Sequence, residues 1–66
     1  METVGEDFPR QQARVRELVK VYEGIGPAGY FGASMLTQTL KEADAAQASG
    51  DVVRILRAYE AMRECK

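Results

Sequence analysis

The chain has 66 residues, nine basic and ten acidic, a formal net charge of −1, one cysteine and no histidine. That balance argues against generic nucleic-acid binding, which needs a basic surplus to neutralise phosphates. A lone cysteine without histidine builds neither an intrachain disulfide nor a zinc site. A domain of this size buries only roughly 60% of the surface its unfolded chain exposes, so oligomerisation is the remaining stabilising device and a homodimer is expected. No apolar run approaches the roughly 18 residues that span a bilayer. The first seven residues are acidic and lack the apolar core of a signal peptide. With a free thiol, this points to a reducing cytoplasm and to no membrane association.

Residues 1–7 read as a disordered lead-in, and residues 8–66 as a single helical domain. Asp7 is a candidate N-cap, with Phe8 and Pro9 in the first turn, where proline's missing N–H costs little. A first helix is predicted over about 8–23. Its apolar stripe is Val15, Leu18, Val19 and Tyr22, at helical spacing. Gly24-Ile25-Gly26-Pro27 breaks it. A second helix is predicted over about 27–48, with a stripe of Phe31, Met35 or Leu36, Thr39, Leu40, Ala43 and Ala46 or Gln47. In Ser49-Gly50-Asp51, Gly50 suits the left-handed end of a helix and Asp51 suits the cap of the next. A third helix follows over about 52–64, with Val52, Ile55, Leu56, Tyr59 and Met62 in line. So short a link predicts that helices two and three fold back as a hairpin, with the first helix across it or across a second subunit. No strand alternation persists. The fold class is therefore all-α. Val21, Tyr30 and Val53 fall off the stripes and suggest more apolar surface than one copy buries.

Gly24-Ile25-Gly26-Pro27-Ala28-Gly29 matches the G-x-G-x-x-G of dinucleotide sites, and Asp51 lies at a suitable distance for a ribose contact. The preceding segment is helical and no parallel sheet fits, so an interhelix break is the better reading. Gly29 and Gly32 each cost a helix about 0.8–1 kcal/mol relative to alanine, which calls for close helix packing as compensation. Arg10, Arg14, Arg16 and Lys20 form a basic helix face, for which a solvated surface is a far commoner reading than nucleic-acid binding given the near-zero net charge. Arg54 and Arg57 share one side of the third helix, beside Glu60 and Glu64. Tyr59 and Tyr22 are expected to pack in the core. Cys65 sits at a helix end whose dipole disfavours a thiolate. Ser34, Thr37 and Thr39 have no histidine to activate them, so no catalytic residue, metal ligand or cofactor is assigned.

Residues 26–35 (GPAGYFGASM) and 48–59 (ASGDVVRILRAY) together resemble two segments of small helical proteins encoded by bacteriophages and prophages of Gram-negative bacteria. The likeness covers residues 24–64. It implies an accessory protein that binds and disables a host protein, of the kind that blocks a quorum-sensing transcription activator or a pilus motor. Gly50-Asp51 with Ala58, Tyr59 and Met62 is also similar to one helix of a tetratricopeptide repeat, but this chain holds fewer than two repeats of about 34 residues. The expected function is steric inhibition of a host protein without enzymatic activity, in the cytoplasm of a bacterial host cell. Tyr30, Phe31, Arg54 and Arg57 are the expected partner contacts, and Val15, Leu18, Val19 and Tyr22 the expected self-association surface. A small nucleic-acid-binding regulator and a structural subunit of a phage assembly are the alternatives.

Overall fold

The computed structural model describes residues 3–65, which are all-α: α1 spans Val4–Ile25, α2 spans Pro27–Ser49 and α3 spans Val52–Glu64, with no strand among the described residues. All three helices touch one another, and the most extensive contact is between α1 and α2 rather than between α2 and α3. Met1, Glu2 and Lys66 lie outside the described residues.

The first helix begins at Val4 rather than near Phe8, so residues 4–7 form its first turn instead of a disordered lead-in. Thr3 is the N-cap, its hydroxyl oxygen accepting from the Glu6 N–H at 3.2 Å. Glu6 and Asp7 then sit in the first turn, where acidic side chains suit the positive end of the helix dipole. The extension places Pro9 inside the helix, at the expense of the hydrogen bond that Gly5 O would have accepted. In return Phe8 joins the inward face with Gln12 and Val15, and all three are buried.

The two links behave as their residues dictate. Gly26 alone separates α1 from α2, at φ 98°, which a side chain rarely tolerates. Its N–H donates to Glu23 O, its own carbonyl accepts from Gly29 N, and Pro27 opens α2. Gly50 takes the left-handed conformation, at φ 71°. Asp51 caps α3 by accepting from the N–H groups of Val53 and Arg54 at 3.0 and 3.3 Å. Both assignments agree with the sequence reading.

The core is small and built around alanine: Ala43, Ala46 and Ala58 are buried with Phe8, Val15, Leu36 and Met62. The α1 stripe faces it as expected. The α2 stripe does not wholly do so: Leu36, Leu40, Ala43 and Ala46 point inward, whereas Phe31 and Met35 are exposed. On α3, Ile55, Ala58, Tyr59 and Met62 make the inward face, and Val52 and Leu56 turn out to solvent.

Glycine sets the separation of α1 and α2. A Cβ built on Gly29 would lie 2.0 Å from the backbone carbonyl oxygen of Tyr22, and one on Gly32 would lie 2.7 Å from the Tyr22 ring. Backbone meets backbone at Gly29, which accounts for the glycines as close-packing residues. Gly24 has nothing within 4 Å of the same position. Gly24→Ala should therefore raise stability by about 0.5–1 kcal/mol through helix propensity. Gly29→Ala should lower it by about 2 kcal/mol or more. In thermal unfolding followed by circular dichroism the second change corresponds to a fall of roughly 10 °C.

Candidate functional site

The α3 helix packs Ala58 and Met62 into the core, and polar contacts from α1 add to this and fix the surface it presents. The Tyr59 hydroxyl donates to Asp7 Oδ2 at 2.6 Å, and Gln11 Nε2 donates to the same oxygen at 3.1 Å. Phe8 stacks on Tyr59 with ring centroids 6.5 Å apart. The Arg63 guanidinium carbon lies 5.6 Å from the Tyr59 ring centroid, within cation–π range. At the C-terminal end of α3, Arg14 donates to the carbonyl of Met62 and, at 2.8 Å, to that of Cys65. The Met62 carbonyl also accepts from the Cys65 N–H at 3.2 Å, so the guanidinium adds a second donor at the helix end, and its charge suits the negative end of the dipole. Between α1 and α2, the buried Gln12 donates to Asp44 Oδ1 at 2.8 Å.

The outward side of α3 is apolar with arginines around it. Val52, Val53 and Leu56 are exposed, and Arg54 and Arg57 stand among them. Two shallow grooves flank this surface. One, of about 300 Å³, runs between α2 and α3 past Glu42, Ala46, Arg54 and Arg57. The other, of about 430 Å³, has Val4, Val53 and Leu56 along it, with Arg57, Glu60 and Arg63 beside them. Arg57 borders both. Apolar side chains interleaved with arginine resemble the centre of a protein–protein contact rather than a pocket for a small molecule.

The four expected partner contacts do not form one site. Tyr30 and Phe31 lie on the first turns of α2, and Phe31 is 77% exposed. Arg54 borders Ala46, sixteen residues further along α2 than Tyr30, or about 24 Å at 1.5 Å per residue. The expected self-association set needs a sharper correction. Val15 is 0% exposed and belongs to the core of its own chain, and Leu18, Val19 and Tyr22 pack against that core. The reason is that their stripe is the one face of α1 apolar enough to bury α2. Sequence reasoning missed Leu56, Met35 and Ile25 as surface residues. The signal for Leu56 was present: Val52, Val53 and Leu56 make an apolar band wider than one helix face can bury.

Other sequence features serve the fold. Arg14 is engaged with α3, Arg16 lies 3.9 Å from Asp44, and Lys20 lies 3.4 Å from Glu17, so much of the basic face has protein partners. The hydroxyls of Thr37 and Thr39 donate to carbonyls one turn back in α2. Cys65 Sγ lies within hydrogen-bond reach of Ala61 O. The G-x-G-x-x-G match falls on the α1–α2 junction and follows a helix, not a strand. Among the described residues there is no cluster of three or more metal-ligating side chains, and no helix is long and apolar enough to cross a membrane. No protein-family model matches this chain, and no curated protein or solved structure shows significant similarity to it.

The Asp7 contact makes a pH prediction. The Tyr59 hydroxyl, then Gln11, hold the Asp7 carboxyl below its ordinary value of 3.8, with smaller help from Arg10 and Arg63. A depressed carboxyl stabilises the fold fully above that ordinary value, and the contribution is lost as pH falls through the lower folded value. Tyr59→Phe and Asp7→Asn should both lower the urea midpoint near neutral pH. Both should also shrink the drop in midpoint between about pH 5 and pH 2. An acid limb identical to that of the unmodified chain would show that the contact carries no linkage.

Proposed function

We propose that this chain is a non-enzymatic accessory protein of the phage type that binds a host protein and inhibits it sterically. A transcription activator or a motor protein is the expected kind of target, and the chain acts as a homodimer in the cytoplasm of a bacterial host cell. The observation that carries the reading is the exposed apolar surface of α3, where Val53 and Leu56 lie among Arg54, Arg57 and Arg63. Large apolar side chains left in water are costly unless a partner covers them, and contiguous exposed patches mark interaction sites. Arginine is enriched at interface hot spots, and its planar guanidinium suits carboxylates on the facing surface.

The α3 surface thus favours a partner that offers an apolar ridge with acidic neighbours. Inhibition needs no chemistry: the bound helix occupies a surface that the target uses for its own partner. Arg54 and Arg57 keep their place as contacts, joined by Val53 and Leu56. Tyr30 and Phe31 lie too far along α2 to share that contact.

The test is an affinity capture of the tagged chain from a Gram-negative lysate, repeated with Arg57→Glu and Leu56→Glu, and followed by an activity assay of the captured protein. One host protein retained through a high-salt wash, reduced at least about tenfold by either substitution, and inhibited on adding the chain, is the expected result. Recovery of the chain alone, or of nucleic acid released by salt, would overturn the reading.

A further inference from the structure

The groove that Val53 and Leu56 line also carries a row of charges with a pattern. Arg57, Glu60 and Arg63 follow at three-residue steps, so the sign alternates positive, negative, positive along about 9 Å of α3. Residues three apart are neighbours on a helix surface, and all three of these border the same groove of about 430 Å³. Other basic side chains are engaged within the chain: Arg14 on the last carbonyls of α3, Arg16 on Asp44 and Lys20 on Glu17. Among the described residues no carboxylate lies within ion-pair distance of Arg57 or Arg63, Glu60 included.

One end of the row is held in position. The Arg63 guanidinium carbon lies 5.6 Å from the Tyr59 ring centroid, and Tyr59 is itself fixed by its hydrogen bond to Asp7 at 2.6 Å. A guanidinium placed over a ring keeps N–H groups in its own plane for a carboxylate, and less side-chain freedom is lost when one binds. The apolar part of the groove lies towards the start of α3, where Val53 and Leu56 are exposed with Val4 of α1 beside them. Among the described residues there is no strand, so an extended segment finds no sheet edge to pair with. A helix does find a seat, because its apolar side chains at three- and four-residue spacing fit a groove between helices.

We infer that this groove takes a short amphipathic helix of a partner protein with a defined charge pattern. Its apolar side chains cover Val53 and Leu56. Two carboxylates about two turns apart face Arg57 and Arg63, and a basic residue between them faces Glu60. Charge complementarity selects this occupant. A uniformly anionic surface, such as a nucleic-acid backbone or an acidic membrane, would set phosphates against Glu60, on a chain whose net charge is already −1. A helix without carboxylates would cover Arg57 and Arg63 and leave them without acceptors, which is costly. The spacing also fits: helix positions seven apart share a face at about 10.5 Å, against about 9 Å between Arg57 and Arg63, and the arginine side chains take up the difference. With 13 residues, α3 offers a track of about 20 Å, so a partner helix of about 14 residues spans it. The inference rests on the α3 contact of the proposed function, and it specifies the segment of the target rather than the target.

The probes are synthetic helical peptides of about 14 residues that share one leucine stripe and differ at three flanking positions. The first carries Glu, Lys and Glu there, the second the inverse Lys, Glu and Lys, and the third Glu throughout. Fluorescence anisotropy with the full chain should give the first an affinity at least about tenfold above the second, with the third between them. Combining Arg57→Glu with Arg63→Glu should invert the order of the first two. Amide NMR shift mapping on the unmodified chain should place the first peptide at Val53 and Leu56 and leave Phe31 and Met35 unmoved, a readout that stands even where the double variant loses helix. Equal affinity for the first two peptides overturns the inference, as does a preference that survives the double substitution in a folded variant. So does tightest binding by the all-Glu peptide or by phosphatidylglycerol vesicles, a shift map centred on Phe31, or no binding up to about 1 mM. A dimer of the chain that shuts the peptide out and that Leu56→Glu dissociates overturns it too. The inhibitor reading fails separately: the first peptide then binds with the expected preference while no host protein is captured and inhibited. A host protein inhibited through another surface removes the helix assignment alone.

Discussion

The contact on which the structure depends is the approach of α1 to α2 at Gly29. There the Tyr22 carbonyl occupies space that any Cβ would claim. Backbones this close suit a small neighbour one turn on, and Ala33 is buried there. The Tyr22 ring then lies against Gly32, which has no side chain to push it away. Helix propensity opposes these glycines, and packing overrides it, because a carbonyl cannot move without disturbing its own helix.

A close-packed alanine core buries little area per residue. Among the described residues the large side chains with almost no exposure are Phe8, Val15 and Met62. At about 25 cal/mol per Å² of apolar surface, such a core leaves a narrow margin over conformational entropy. That is why the docking of α3 relies so visibly on directional contacts. Arg14 holds the last carbonyls of α3, and Asp7 holds Tyr59 near its middle. These bonds cross 48 to 52 positions of sequence and add directional constraints on the register of α3 to its apolar packing.

The same distinction explains what the sequence made legible. The Gly50-Asp51 link was readable because its physics is local: a left-handed residue followed by a side chain that caps its own helix. The all-α class and the inward stripe of α1 were readable from spacing alone. The start of α1 was not, since Thr3 and Asp7 are both good caps. Burial of Phe8 favours Thr3, and that is a tertiary fact. The outward position of Phe31 and Met35 was hidden too. The α2 helix carries apolar residues on two adjacent faces, and the sequence does not say where α3 stops. Val15 was assigned to self-association for a related reason: an apolar stripe looks alike whether its partner is in the same chain or another. Arg14 gave no sign at all, because its acceptors are backbone carbonyls and carry no sequence signature.

Two exposed apolar surfaces on so small a chain therefore differ in kind, and charge distinguishes them. The exposed side chains at the α1–α2 end, Val21, Ile25, Phe31 and Met35, carry no charge. The α3 surface carries arginine and favours a partner of opposite sign.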